Sequence, residues 1–224
     1  MHTLRVLAGD LSDVVHDNGF WMTWNLLLAF VPAVLAPLVF RHRGERTATW
    51  WAGLALFVLF LPNAPYVITD LVHLRGDVER VHSDLAVVGA VLPVYAAFIG
   101  AGLLAYAFGL SEMGRYLDRI GWAGRRASVE LGVHALAAVG VVLGRFARLN
   151  SWEPVTEPQG TLERIVLTLS ARWAVAATVV LFVVIWLSHA MTRAVVTYAV
   201  AAASRAGSHV QRLLSPPAPP PHAP

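Results

Sequence analysis

Long uncharged, apolar stretches recur along the chain at a length that suits a lipid bilayer. Asn18 to Phe40, Thr47 to Thr69, Leu85 to Ser111 and Trp173 to Thr192 contain no Asp, Glu or Arg. Each reaches or exceeds the roughly 20 residues a helix needs to cross about 30 Å of hydrocarbon. A fifth, shorter window, Leu131 to Gly144, is bracketed by Glu130 and Arg145. By itself it reads equally as a span with polar ends inside the protein or as a buried helix that does not cross. The pattern predicts an all-α polytopic membrane protein with about five transmembrane helices over 20–205. A short amphipathic lead-in is expected over 1–19, with no cleavable signal, since no apolar core precedes a small-residue cleavage site. A Pro-rich disordered tail is expected over 206–224, because SPPAPPPHAP at Ser215 to Pro224 suits neither a helix nor a strand ladder.

Composition agrees. Hydrophobic residues make up 57% and charged residues 14% of the 224 positions, against about 25% charged in soluble domains. All 17 cationic side chains are arginine, and there is neither lysine nor cysteine. Disulfides, thiolate metal sites, a cysteine nucleophile, a Schiff-base lysine and a Walker lysine are thereby excluded. A net charge of +3, spread along the chain, points away from nucleic acid as a partner. With five spans, Arg41, Arg43, Arg46, Arg115, Arg119, Arg125, Arg126, Arg193, Arg205 and Arg212 all fall on one side. Ten acids, among them Asp70, Asp77, Asp84, Glu153 and Glu157, fall on the other. Positive-inside counting then places the N-terminus outside and the C-terminus in the cytoplasm. No internal repeat is visible, which disfavours a transporter built from inverted halves.

Polar groups inside the windows carry the chemistry. In the second, LFLPNAPYVITDLVHL, Pro62 and Pro65 remove backbone donors, so the helix is expected to break there. Asn63 lies about 20 Å along that span at helical rise, where freed backbone groups must be buried in protein or line a wet cavity. Tyr66, Asp70 and His73 follow on one helical stripe. Around the Leu131 to Gly144 window, fourth in chain order, Glu130, His134, Arg145 and Arg148 fall on one face at 3.6 residues per turn, and the segment runs on as GRFARLNSWE through Asn150 and Trp152. Asn25, in WMTWNLLLAF, reaches a similar depth. Ionisable groups at such depth are costly and face a bundle interior. Two readings stand side by side. Either Asn25, Asn63, Tyr66, Arg145, Arg148, Asn150 and Trp152 line a ligand site, with Asp70 and His73 as proton-transfer candidates, or Arg145 and Asp70 form a buried pair that only fixes two helices. Glu130 and His134 read as a mutual pair at i,i+4 with His189 nearby, and Gly140 and Gly144 as a helix-packing contact. No metal site is assigned. His73, His82 and Asp84 are weak candidates, with no third fixed spacing to complete a known pattern.

WNLLLAFVP, LFLPNAPYVITDLVHL and GRFARLNSWE resemble signature stretches of a bacterial multi-pass membrane family catalogued as domain of unknown function 1361. The likeness runs from about Trp24 to Trp152. The family often carries W-Y-D where this chain has His82-Ser83-Asp84, and N-S-W-D where it has Glu153. The resemblance implies a bacterial inner-membrane protein and implies no activity or cofactor. The expectation is therefore an outward-facing polar pocket suited to a lipid headgroup or small anion. The alternative is a non-enzymatic subunit of a larger membrane complex. Beyond the bilayer itself, membrane-protein partners or a second copy of the chain stay open.

Overall fold

In hydrocarbon a backbone must satisfy its own hydrogen bonds, so long apolar windows fold as helices. The computed structural model describes residues 2–81 and 84–214, with side chains for 16, 18–81 and 84–208. Helix accounts for 88% of it, and the described residues contain no strand. In order the helices are α1 His2–Phe40, α2 Ala48–Phe60, α3 Asn63–Tyr66, α4 Leu71–Arg80, α5 Asp84–Ala86, α6 Leu92–Arg119, α7 Arg126–Phe146, α8 Glu153–Thr156, α9 Pro158–Leu169 and α10 Arg172–Leu214. Five runs are long and apolar enough to cross a membrane: Asn18–Phe40, Ala48–Arg80, Asp84–Arg119, Ala123–Phe146 and Arg172–Ser208. The short fourth window therefore belongs to a full-length span. Its polar flanks are helical too.

The second span breaks where the prolines require it, and the break is shallow. Pro65 has no N–H for the Leu61 carbonyl, which instead accepts from the Ala64 amide at 3.2 Å. That leaves the Phe60 carbonyl without its usual partner, and the Asn63 side-chain amide donates to it at 2.9 Å. A 3₁₀ turn over Val67–Asp70 leads into α4, and the whole run bends by only 16°. Neighbouring helices close tightly on this region. A Cβ at Gly102 of α6 would lie 2.6 Å from a Val67 methyl and 2.8 Å from the Ala64 carbonyl, and one at Gly140 of α7 would overlap the Pro62 ring. Only glycine allows α6 and α7 to approach the break this closely.

α1 packs on α6, α2 and α3, while α10 lies outermost, against α7 and α6. Two rungs fix the register of α1 against the second span. The Asn18 amide donates to Asp77 at 2.9 Å and the Asn25 amide donates to Asp70 at 2.8 Å. Seven residues separate the two asparagines, and seven the two aspartates, so antiparallel helices meet at both positions. Trp21 sits between the rungs, its ring 4.9 Å from His73 and 5.5 Å from Phe98. At the other end of the bundle, Arg119 donates to the Phe40 and His42 carbonyls at 2.6 and 3.2 Å, and Glu112 binds Arg41 and Arg115.

Both terminal helices run beyond the apolar windows. The lead-in continues into α1 without interruption. Helix α10 runs to Leu214, so 206–214 is helical where a disordered tail is expected. No proline lies between Arg172 and Leu214, and nothing in RAGSHVQRLL forces a stop. Ser215 to Pro224 lie outside the described residues.

Candidate functional site

A cavity of about 840 Å³ opens beside the break in the second span. It lies between α1, the α2–α3 junction, the end of α7 and the loop that follows. Trp24, Leu28, Leu59, Leu143 and Ile165 supply apolar wall, while Asn25, Asn63, Tyr66, Arg145, Arg148, Asn150, Ser151 and Thr161 supply polar groups. No aspartate or glutamate lines it, and two arginines do. The field inside is therefore positive, which suits an anion. Glycines again set the geometry: Gly140 faces Pro62, and a Cβ at Gly144 would meet the Tyr66 ring at 3.4 Å. The expected helix-packing role of this pair is thus played against the break itself, inside the cavity.

Each polar group has a distinct situation. Asn63 donates to the Ser151 hydroxyl at 2.8 Å as well as to Phe60, tying the loop after α7 to the break. Arg145 reaches Asp70 at 3.7 Å, beyond hydrogen-bond length. The other carboxylate oxygen of Asp70 accepts from the Asn25 amide at 2.8 Å. Arg148 makes no ion pair or side-chain hydrogen bond with any described residue. It holds φ +53°, the only non-glycine in the left-handed region among the described residues. A residue with a Cβ in that region costs about 1 kcal/mol or more, which the surrounding loop must offset. Thr161, brought in by α9, is buried, and its hydroxyl has no hydrogen-bond partner among the described residues.

At the rim, Asn150 donates to Glu153 at 2.7 Å, and Arg164 donates to the other carboxylate oxygen at 2.7 Å. The Asn150 amide and then Arg164 hold the Glu153 carboxyl below the usual glutamate range. Glu153 is thus an anion spent on the loop rather than on the cavity.

Six of the residues read from the sequence as ligand-binding line the cavity: Asn25, Asn63, Tyr66, Arg145, Arg148 and Asn150. Trp152 does not. It stands half-exposed, edge-on to Trp24 at 6.4 Å between ring centres. Asp70 and His73 also lie outside the lining. Asp70 is buried behind Asn25 and Arg145, and His73 is exposed against Trp21. His82 falls outside the described residues, Asp84 is exposed at the start of α5, and no metal-sized cluster of three His, Asp or Glu occurs among the described residues.

Two further expectations are corrected. Arg148 does not continue the α7 stripe, because the helix stops at Phe146 and the backbone reverses at Arg148. Glu130 and His134 do not pair with each other. Arg126 at 2.9 Å and Arg193 at 3.4 Å take Glu130, while Tyr106 bonds His134 at 2.9 Å and the His189 ring lies tilted against it at 4.9 Å. Sequence reasoning missed Ser151, Thr161 and the whole of α9, whose charged, short segment carries no membrane-span signal. It also missed Asn18, Asp77 and Tyr95, which meet in one buried cluster where the tyrosine hydroxyl donates to Asp77 at 2.7 Å. The matched seven-residue spacings of the asparagines and aspartates were the available sign.

The sequence profile of the family described as Protein of unknown function (DUF1361) matches residues 24–187. No curated protein and no solved structure matches the chain. The match covers most of the chain and all of the cavity lining, and the chain belongs to that family.

Proposed function

We propose that this member of the DUF1361 family binds an anionic group, a lipid headgroup or a small soluble anion, in the cavity at its broken second span. Arg145 and Arg148 hold the anion, since guanidinium forks match phosphate and carboxylate oxygens. Asn25, Tyr66 and Thr161 offer further polar contacts. One observation supports this reading above the others: two arginines face a cavity that no carboxylate lines, and one of them, Arg148, has no ion-pair or side-chain hydrogen-bond partner among the described residues. Asp70 stands behind the lining and reaches the cavity through Asn25 and Arg145, so its role here is to position those two side chains. The proposed setting is the outer leaflet side of a bacterial cytoplasmic membrane, with the N-terminus outside and the C-terminus in the cytoplasm.

The test uses the full chain in lipid nanodiscs and follows intrinsic tryptophan fluorescence, with Trp24→Phe identifying the part that comes from the cavity. Titration with inorganic phosphate and, separately, with phosphatidylglycerol in the disc should give saturable changes that Arg148→Gln weakens about tenfold. No response to either probe, or an unchanged response in Arg148→Gln, sinks the reading. Orientation is checked with a cysteine introduced at the exposed Glu157. Labelling of that cysteine only from the cytoplasmic side would reverse the assignment.

A second reading is favoured by α10. Its span is only 17% buried within the chain, and Val175, Val179, Val183 and Trp186 stand exposed along it. A membrane-protein partner seated on that face would make the chain a subunit of a larger complex. A stoichiometric companion after purification in mild detergent would support this reading, and a clean monomer would remove it.

A further inference from the structure

The opposite end of the bundle carries a second, differently built pocket. The spans ending at Phe40 and Arg119 and the one beginning at Ala48 reach the edge of the apolar region together. A cavity of about 590 Å³ opens between them. Trp50 and Tyr116 floor it, and Arg43, Arg46 and Arg119 surround it. The Trp50 ring is buried and fixed, its indole N–H donating to the Val39 carbonyl at 2.9 Å. The Arg46 guanidinium lies over Trp50 at 5.3 Å and over Tyr116 at 5.8 Å, and Arg119 lies over the same tyrosine at 5.4 Å. A guanidinium held by its face keeps its N–H edge for another partner.

Those edges have few partners within the protein. Arg43 and Arg46 make no ion pair or side-chain hydrogen bond with a described residue, and Arg119 donates only to the two carbonyls of the α1 end. Nearby carboxylates are committed elsewhere: Glu112 to Arg41 and Arg115, Asp118 to Arg126. Glu45, the acid of the 41–47 loop, is exposed and outside the lining. Three guanidiniums therefore face one pocket with no carboxylate among the residues that line it.

We infer that this pocket binds the phosphate of an anionic phospholipid at the arginine-rich edge of the bundle. The position selects a lipid over a free anion. Trp51 is exposed and edge-on to Trp50 at 4.8 Å, Ile120 in the lining is exposed, and so is Trp122 two residues further along the chain. Aromatic side chains at the end of a span sit at the headgroup level, where a glycerol backbone would lie against them. Basic pockets between spans at this level take anionic headgroups. This site is independent of the cavity at the broken span, which lies at the other end.

Native mass spectrometry of the full chain in detergent tests the assignment. In an Arg148→Gln background, which weakens the cavity at the broken span, titration with phosphatidylglycerol should give a saturable one-to-one adduct, and phosphatidylcholine should bind at least tenfold more weakly. The double variant Arg43→Gln/Arg46→Gln should lose about 30-fold in phosphatidylglycerol affinity. Arg119 is spared because it holds the loop. Arg205→Gln, a basic residue on α10 outside the pocket, should change nothing. If the double variant fails to fold, Arg43→Gln alone should cost about fivefold. Equal binding of the two lipids, an undiminished adduct in whichever of these variants folds, or an equal loss in Arg205→Gln overturns the site. Displacement of the lipid by millimolar inorganic phosphate overturns the lipid and leaves a free-anion pocket.

Discussion

Arg126 and Arg145 stand at opposite ends of α7 with nearly the same side-chain exposure, 28% and 30%, and they are used in opposite ways. Arg126 donates to Asp118 and to Glu130, both at 2.9 Å. Arg145 has a single carboxylate at 3.7 Å, and that carboxylate is turned towards Asn25. Exposure therefore does not distinguish a structural arginine from an available one. The partners do. A part-buried guanidinium with its donors filled stabilises the fold, whereas one with unfilled donors beside a cavity is a poor structural element and a good receptor for an anion.

The largest expected effect abolishes the comparison altogether. Gly140→Leu would drive a side chain into the Pro62 ring between the two arginines. It should cost about 3 kcal/mol or prevent folding, read as loss of monodisperse protein in size-exclusion chromatography. Next, Arg126→Ala leaves Asp118 without its salt bridge and Glu130 with only the longer one to Arg193. A fall of about 2 kcal/mol is expected, followed by thermal melting in detergent, with phosphate binding unchanged within twofold. A loss of phosphate binding in that variant would erase the distinction between the two ends. Arg148→Gly sharpens it in the other direction. Glycine adopts φ +53° freely, so the variant should melt higher by the equivalent of up to about 1 kcal/mol while losing about tenfold in phosphate affinity. The smallest effect is one of pH. Glu153 has a lowered carboxyl pKa in the folded chain, so its contribution is fully present above the ordinary glutamate range, near pH 4.3. It fades as pH falls through the lower folded value. The melting temperature should show this acid-side loss, and Glu153→Gln should remove that part of the slope.

Much of this contrast was visible in the chain and some was not. The apolar windows and the two prolines announced the spans and the break, because a bilayer imposes length and proline removes a donor wherever it stands. Helical depth alone brought Asn25, Asn63 and Arg145 to one level, and the structure joins them through Asp70 and Ser151. What depth could not supply was partner choice. Glu130 has His134 one turn away, yet arginines from its own helix and from α10 outcompete it. Thr161 and Ile165 arrive on a short helix whose place is set by tertiary contacts, not by periodicity. Trp152 belongs to the motif but turns its ring to Trp24 instead of the cavity. The left-handed turn at Arg148 left no mark, since arginine is not a residue that signals it.

The two asparagine–aspartate rungs between α1 and the second span also constrain the order of assembly. Entering a membrane alone, the second span would carry Asp70 and Asp77 into or near hydrocarbon, each costing as much as about 3 kcal/mol if it reached the centre. With α1 already in place, Asn25 and Asn18 receive them at 2.8 and 2.9 Å. On that cost the first two spans are expected to enter the bilayer as one hairpin, the second docking its aspartates on the asparagines of the first.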